Sequence, residues 1–305
     1  MEKHRKKLIK NAAVFDGHSS GLAHGKKIVI EDDLVTEITG DEVSEENFGE
    51  VFDGTGMVAM PGMTDAHVHM GCLFAKGEFP VDYATVLTVA KCKDALMAGF
   101  TTFRDAGSVS EGLKLAFDEG VLPGPRIYPC GAYISQTCGH GDSEYAHTYR
   151  DIQYRHPSST VLVDGVPEII RAVREQFYRG ASHIKLMATE ILNRHEDIRL
   201  LFGTDMMITG PDYQVEQSED IRYYEKRFGT MRALRALTGT ANEVFTLTTY
   251  QNPYPKGKIG VLEAGSYADL LLVDGDPTKS VLVLADTDHL RLIMKGGTVY
   301  KNTLC

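Results

Sequence analysis

Cysteine is scarce in this chain and badly spaced for cross-linking. Cys72, Cys92, Cys130, Cys138 and Cys305 are odd in number, scattered, and form no Cys-x-x-Cys pair. That argues against a disulfide framework or a structural zinc cage, and reduced cytosolic thiols are expected. No apolar run approaches the length of a membrane span. The first residues, MEKHRKKLIKNAAVFDG, are basic but hold neither an apolar core nor a small-residue cleavage site, so no signal peptide is expected. Basic residues are not in surplus: 32 Lys and Arg stand against 42 Asp and Glu, a net charge of −10. This weighs against a nucleic-acid or anionic-membrane partner. It says little about a small-molecule site, where local charge decides. Internal repeats, long linkers and low-complexity tracts are missing as well.

What remains is an ordinary globular composition, with 43% hydrophobic and 24% charged residues over 305 positions. That length exceeds the usual single core, so two domains or one large α/β domain are expected. The N-terminal stretch reads as short strands and turns. KIVIEDDLVTEI sets β-branched runs on either side of an acidic turn, as a hairpin does. From Met57 the pattern changes. DYATVLTVAKCKDALMAGF carries Tyr83, Val86, Leu87 and Ala90 at helical spacing and is stopped by Gly99, with the strand TTFRD next. VPEIIRAVREQFYRG repeats the phrase: Pro167 starts the helix, Ile169, Ile170, Val173 and Phe177 form its apolar stripe, Gly180 ends it, and SHIKLMAT follows as a strand. IRLLFGTD is an apolar strand ending in Asp205, and TMRALRALTGTANEVF is helical. Helix, glycine, buried strand, polar residue at the strand's end is the grammar of βα units. The tail returns to strands and turns, so the two ends are expected to build one small β domain together.

MPGMTDAHVHM holds the most informative spacing. In an extended strand, residues i and i+2 point to the same side. The imidazoles of His67 and His69 would converge there, and two neutral imidazoles suit a metal ion such as zinc. The plain alternative is a half-exposed strand with polar residues toward solvent. In barrels of βα units, polar residues at C-terminal strand ends mark the active site. His67, His69, Arg104, Asp105, Lys185 and Asp205 fit that description. Arg104 and Asp105 also suit a structural ion pair, and His183 suits a strand filler. RHEDIR, with His195, reads as a solvated helix or loop, and Cys138 as a small buried filler.

Taken together, VAMPGMTDAHVHM, LLFGTD and IGVLEAGSYADLLLVDGDP resemble the first-strand, last-strand and tail signatures of the amidohydrolase superfamily. ISQTCGHGD and HIKLMAT narrow the likeness to the imidazolonepropionase-related, prolidase-like group of Xaa-Pro and Xaa-Arg/Lys dipeptidases. The resemblance implies an α/β fold: a (β/α)8 barrel over 59–257, and a β-sandwich made from 1–58 and 258–305. It implies a zinc site, with two ions and other divalent metals allowed, held by His67, His69, a carboxylated Lys185 and Asp205. Asp205 would also be catalytic, taking a proton from the attacking water and passing it to the leaving amine. His140 in its Gly-rich loop is expected to bind a substrate carboxylate or carbonyl oxygen, and GPDYQVEQSED after Asp205 reads as a loop lining the pocket through Tyr213 or Gln217. The implied activity is hydrolysis of small amides, dipeptides or N-acyl amino acids, in a cytoplasmic homo-oligomer. A mononuclear cyclic-amide hydrolase or deaminase is the alternative enzyme, against which Lys185 speaks. A non-catalytic scaffold of the same fold is the third reading.

One spacing breaks the pattern. Such a family member needs two more metal histidines on strands between the lysine and the aspartate, yet Lys185 and Asp205 stand only 20 positions apart (205 − 185). Three βα units need roughly 90 to 100 residues. A segment of that length is therefore expected to be missing near 189–191, which would add about 10 kDa to an intact mass of 33.6 kDa. The alternative is a true deletion with exposed strand edges.

Overall fold

The computed structural model describes residues 6–70, 81–107, 111–137, 139, 141–142, 160–187, 199–207 and 213–304. The N-terminal part carries β1 (Lys6–Lys10), β2 (Ala13–Val14), β3 (Lys27–Glu31), β4 (Leu34–Thr39), β5 (Glu50–Asp53) and β6 (Val58–Pro61). Strands β3 and β4 form the acidic-turn hairpin, antiparallel with Ile28 opposite Ile38. Asp32 takes the left-handed conformation in its turn, φ 53°, which an aspartate tolerates better than a branched residue. These strands join β1 and β5 in a sheet of order β4-β3-β1-β5.

The middle of the chain alternates helix and strand. It runs β7 (Met63–His69), α1 (Val81–Met97), β8 (Phe100–Asp105), α2 (Glu111–Asp118), β9 (Arg126–Tyr128) and β10 (Tyr133–Ser135). Then come β11 (Thr160–Leu162), α3 (Val166–Tyr178), β12 (Leu186–Met187) and β13 (Met206–Met207). Three helices follow, α4 (Tyr213–Phe228), α5 (Thr230–Leu237) and α6 (Gly239–Phe245). The tail supplies β14 (Leu270–Val273), β15 (Leu290–Lys295) and β16 (Thr298–Asn302).

All pairings in the middle are parallel, in two sheets of order β13-β7-β8-β9 and β11-β10-β12. Helical crossovers join such strands, and their burial on both faces gives near-continuous apolar runs. Among the described residues the strands form no closed ring: β12 pairs with β10, and β13 with β7. The expected full set of eight strands is thus not present there, and the proposed break near 189–191 lies outside the described residues.

The five-stranded sheet, order β16-β15-β14-β6-β2, is the layer between two cores. Strand β14, LLLV, is buried at every position. Its period of two sends Leu270 and Leu272 toward the N-terminal sheet, beside Ile9, Ile28 and Val35. Leu271 and Val273 join Met63, Phe100 and Phe202 in the core beneath. Each such leucine contributes about 1.5–3 kcal/mol. Val58–Pro61 pairs with β14 in this sheet, so the chain passes from the terminal layers to the βα region at Gly62. A Cβ at Gly62 would lie 2.1 Å from Thr101 Oγ1, a contact only glycine avoids.

Three helical expectations need correction. Helix α1 forms, but Tyr83 and Val86 face outward, and Ala84, Thr88, Cys92, Ala95 and Leu96 are its buried face. Small residues at i, i+4 and i+3 steps let the helix approach the sheet closely. In α3, Ile169 and Ile170 are exposed, and Ala172 and Gln176 are buried. The stretch TMRALRALTGTANEVF is two helices, divided where Thr238 leaves helical geometry at φ −133°.

Candidate metal centre

Strand β7 reads MTDAHVH, with Asp65, His67 and His69 at alternate positions near its C-terminal end. The segment before β13 runs beside it, Ala66 N–H donating to Phe202 O at 2.8 Å and Asp205 N–H to His67 O at 2.8 Å. This brings Asp205 to the histidines across 138 positions of sequence (205 − 67). Its Oδ1 lies 3.2 Å from His67 Nε2 and 3.3 Å from His69 Nε2. The imidazole centroids are 5.3 Å apart. One ligand atom from each of the three residues falls within 4.8 Å of the others.

Lys185, just before β12, comes from the other parallel sheet, and its Nζ stands 3.1 Å from His67 Nε2. The four residues named from the sequence as metal ligands therefore meet in one place. Burial and then the Lys185 charge hold the His67 imidazole below its ordinary pKa. Burial also lowers the Lys185 ammonium. Both shifts favour the neutral, ligand-competent forms. The two imidazoles and the carboxylate form a possible metal site, with the lysine beside it. Its open side is accessible, the Asp205 side chain being 74% exposed and His69 only 6%.

Three neighbours of the site hold it from behind, and His183 is the structural histidine expected from the sequence. His183 is engaged at both ring nitrogens, Nε2 on Asp105 O at 3.1 Å and Nδ1 beside Ser182 Oγ at 3.0 Å. Burial, then the Arg104 charge, push its pKa down to about 3, as suits a structural, neutral histidine. Arg104, expected to pair with Asp105, reaches Ala66 O at 3.4 Å. Tyr213, expected at the substrate, is instead fully buried. Its ring lies edge-on to Phe100 at 5.5 Å, and its hydroxyl donates to Asp65 Oδ2 at 3.1 Å. The apolar core outcompeted solvent for the ring, and Asp65 supplied the acceptor its hydroxyl needed. Gln217 is buried too. His140, Cys138 and His195 lie outside the described residues.

Asp65 escaped the sequence reading. It is wholly buried and accepts from His67 N–H at 3.1 Å, Thr204 N–H at 3.2 Å, Thr204 Oγ1–H at 2.7 Å and the Tyr213 hydroxyl. Burial pushes its pKa up to about 7 against these donors. The signal that could have found it is an aspartate two residues before H-x-H in an apolar strand, sharing the histidines' face.

Residues 58–197 match the family model described as "Amidohydrolase family". Ochratoxinase of Aspergillus niger is 34% identical over 152 residues, 43% of this chain and 31% of that protein. The match thus spans about a third of the relative's length. Among solved structures, a prolidase complexed with N-methylphosphonate-L-proline superposes with a TM-score of 0.83 at 22% identity, covering 97% of this chain and 100% of the other. A Xaa-Pro dipeptidase with bound methionine gives 0.69 at 20%, covering 97% and 100%. At these identities the structural likeness speaks for the fold.

Proposed function

We propose, from the match of residues 58–197 to the amidohydrolase family model, that the chain is a metal-dependent hydrolase of small amides, dipeptides or N-acyl amino acids. One observation carries the reading: His67, His69 and Asp205 offer three ligand atoms within 4.8 Å, and Lys185 Nζ joins them beside His67. The family's hydrolytic relatives support it.

His67, His69, Asp205 and Lys185 would hold the metal, as two zinc ions or other divalent ions. When bound, such a metal polarises a carbonyl and lowers the pKa of water from 15.7 toward about 7. The chain's own groups supply the rest. Burial, the largest influence on His67, favours its neutral imidazole and lone pair. Burial also lowers the Lys185 pKa, and in its neutral form that amine would take up carbon dioxide as an anionic carbamate. Asp205 is the solvent-facing carboxylate of the set. It accepts the proton of the attacking water and delivers it to the departing amine nitrogen, general base and then general acid. A cytoplasmic homo-oligomer completes the proposal, in keeping with the buried Cys92 and Cys130, neither in a disulfide.

The test is metal analysis of the purified chain, with hydrolysis of a dipeptide and N-acyl amino acid panel before and after chelation. We expect bound zinc, chelator-sensitive turnover, and a loss of about 10²–10⁴-fold in kcat for Asp205→Asn. A chain that binds no divalent metal and hydrolyses nothing on the panel refutes the reading. One metal per chain, unchanged by Lys185→Ala, would favour the mononuclear alternative.

A further inference from the structure

Asp205 is held in the left-handed region, φ 56°. Residues with a Cβ adopt this conformation uncommonly, aspartate more readily than most, and here specific contacts hold it. The enforcing contacts lie on both sides of it. Thr204 gives its N–H and its hydroxyl to the two oxygens of Asp65, at 3.2 and 2.7 Å. The same Thr204 oxygen accepts from Met206 N–H at 3.2 Å, closing a loop around Asp205. Asp205 N–H is itself tied to His67 O.

Asp65 also holds the histidine strand. Its Oδ1 accepts from His67 N–H at 3.1 Å as well as from Thr204 N–H. One buried carboxylate thus grips the backbone beside two of the proposed ligands, on segments 139 positions apart. The Tyr213 hydroxyl, from α4, fills its remaining lone-pair direction. Asp65 is 0% exposed, so substrate cannot reach it, and it acts only through what it holds.

We infer that Asp65, through Thr204, is the positioning residue that fixes the Asp205 carboxylate against His67 and His69. The functional meaning of that position rests on the metal-hydrolase reading above. Outer partners that orient metal ligands are worth about 10–100-fold in affinity.

The experiment pairs cobalt(II) titration of the metal-stripped full chain with crystal structures of the metal-free proteins, for wild type, Asp65→Asn, Thr204→Val, Thr204→Ser and Tyr213→Phe. Asp65→Asn and Thr204→Val are expected to weaken cobalt binding by about 10–100-fold. In both, Asp205 should leave the left-handed region and its carboxylate should leave the histidines. Thr204→Ser, which keeps the hydroxyl, should restore both properties. Tyr213→Phe should lower the denaturation midpoint and leave cobalt affinity within about twofold, because it spares the Thr204 grip. Should Asp65→Asn fail to fold, the Thr204 pair alone decides. Variants that lose stability while Asp205 stays on the histidines, with cobalt bound as in wild type, overturn the inference. A wild type that binds no cobalt defeats the metal reading instead. A displaced Asp205 in Thr204→Val would still uphold the positioning role.

Discussion

Behind His67 stands Gly203, and no side chain fits there. A Cβ built on it would lie 2.8 Å from the His67 Cβ and 3.3 Å from its backbone nitrogen. The atoms it meets are fixed to the β7 backbone, so turning the imidazole cannot relieve the contact and the two segments must separate. Gly203→Ala is expected to cost about 1–3 kcal/mol of stability as overpacking and to weaken metal binding by moving Asp205 from the histidines. Urea denaturation and cobalt titration check the two effects, and an unchanged affinity would mean that the separation spares Asp205. Residue by residue, the proposed ligands were legible because H-x-H, HIK and FGTD sit at strand ends in a βα pattern. Asp65 and Thr204 were not, because their roles depend on contacts between segments that the sequence keeps far apart.

Helix α4 carries three carboxylates in one stretch, Glu216, Glu219 and Asp220. Glu216 and Asp220 are an i,i+4 like-charge pair, which destabilises a helix. Partial burial, with the Glu216 charge next, raises the Asp220 pKa from 3.8 to about 6. A folded pKa above the unfolded one means that the unfolded chain releases its proton first. Stability therefore falls as the pH rises from 3.8 toward about 6, and the loss is complete at neutral pH. Asp220→Asn should raise stability at pH 7 by about 1 kcal/mol, after allowance for solvent screening. The gain should vanish near pH ~4, and urea denaturation at both values measures it. The elements themselves followed from glycine stops, the proline at the start of α3 and apolar periodicity. Their inward faces did not. In α1 the larger apolar residues Tyr83 and Val86 stay outside while Ala84, Cys92 and Ala95 pack, because close approach to the sheet rewards small side chains there.

A buried ion pair joins the terminal layers to the βα region. Arg126 of β9 donates from Nε and Nη2 to the carboxylate of Asp269, at 2.6 and 3.1 Å. Its guanidinium lies over the Tyr267 ring at 3.9 Å. Asp269 also accepts from Gly296 N–H at 2.7 Å. Lys295 reaches across to Gly124 O at 2.6 Å, its pKa pushed down to about 8 by burial and the Arg126 charge. Asp269→Ala would strand a buried guanidinium and should cost about 3–5 kcal/mol. Replacing both partners with apolar residues should cost less, since no charge is left unpaired. Chemical denaturation of the two variants compares them, and equal losses would show that packing, not charge, governs the junction. Nothing in the strings PRIYP or SYADLL names the other. They are 143 residues apart, and folding alone makes them partners.

By itself the sequence determined the classes of element, their alternation, the two β-rich ends and the metal-type donors, because these depend on residue type and spacing within a few turns of chain. The tertiary structure decided what those donors meet. It carried Lys185 from one parallel sheet and Asp205 from beside another to the H-x-H strand, put Asp65 beneath them as a shared acceptor, and drew Tyr213 from the expected substrate loop into the core. These outcomes come from long-range strand pairing and from the need of every buried donor for an acceptor. Both are settled by the chain as a whole and by no local run of residues.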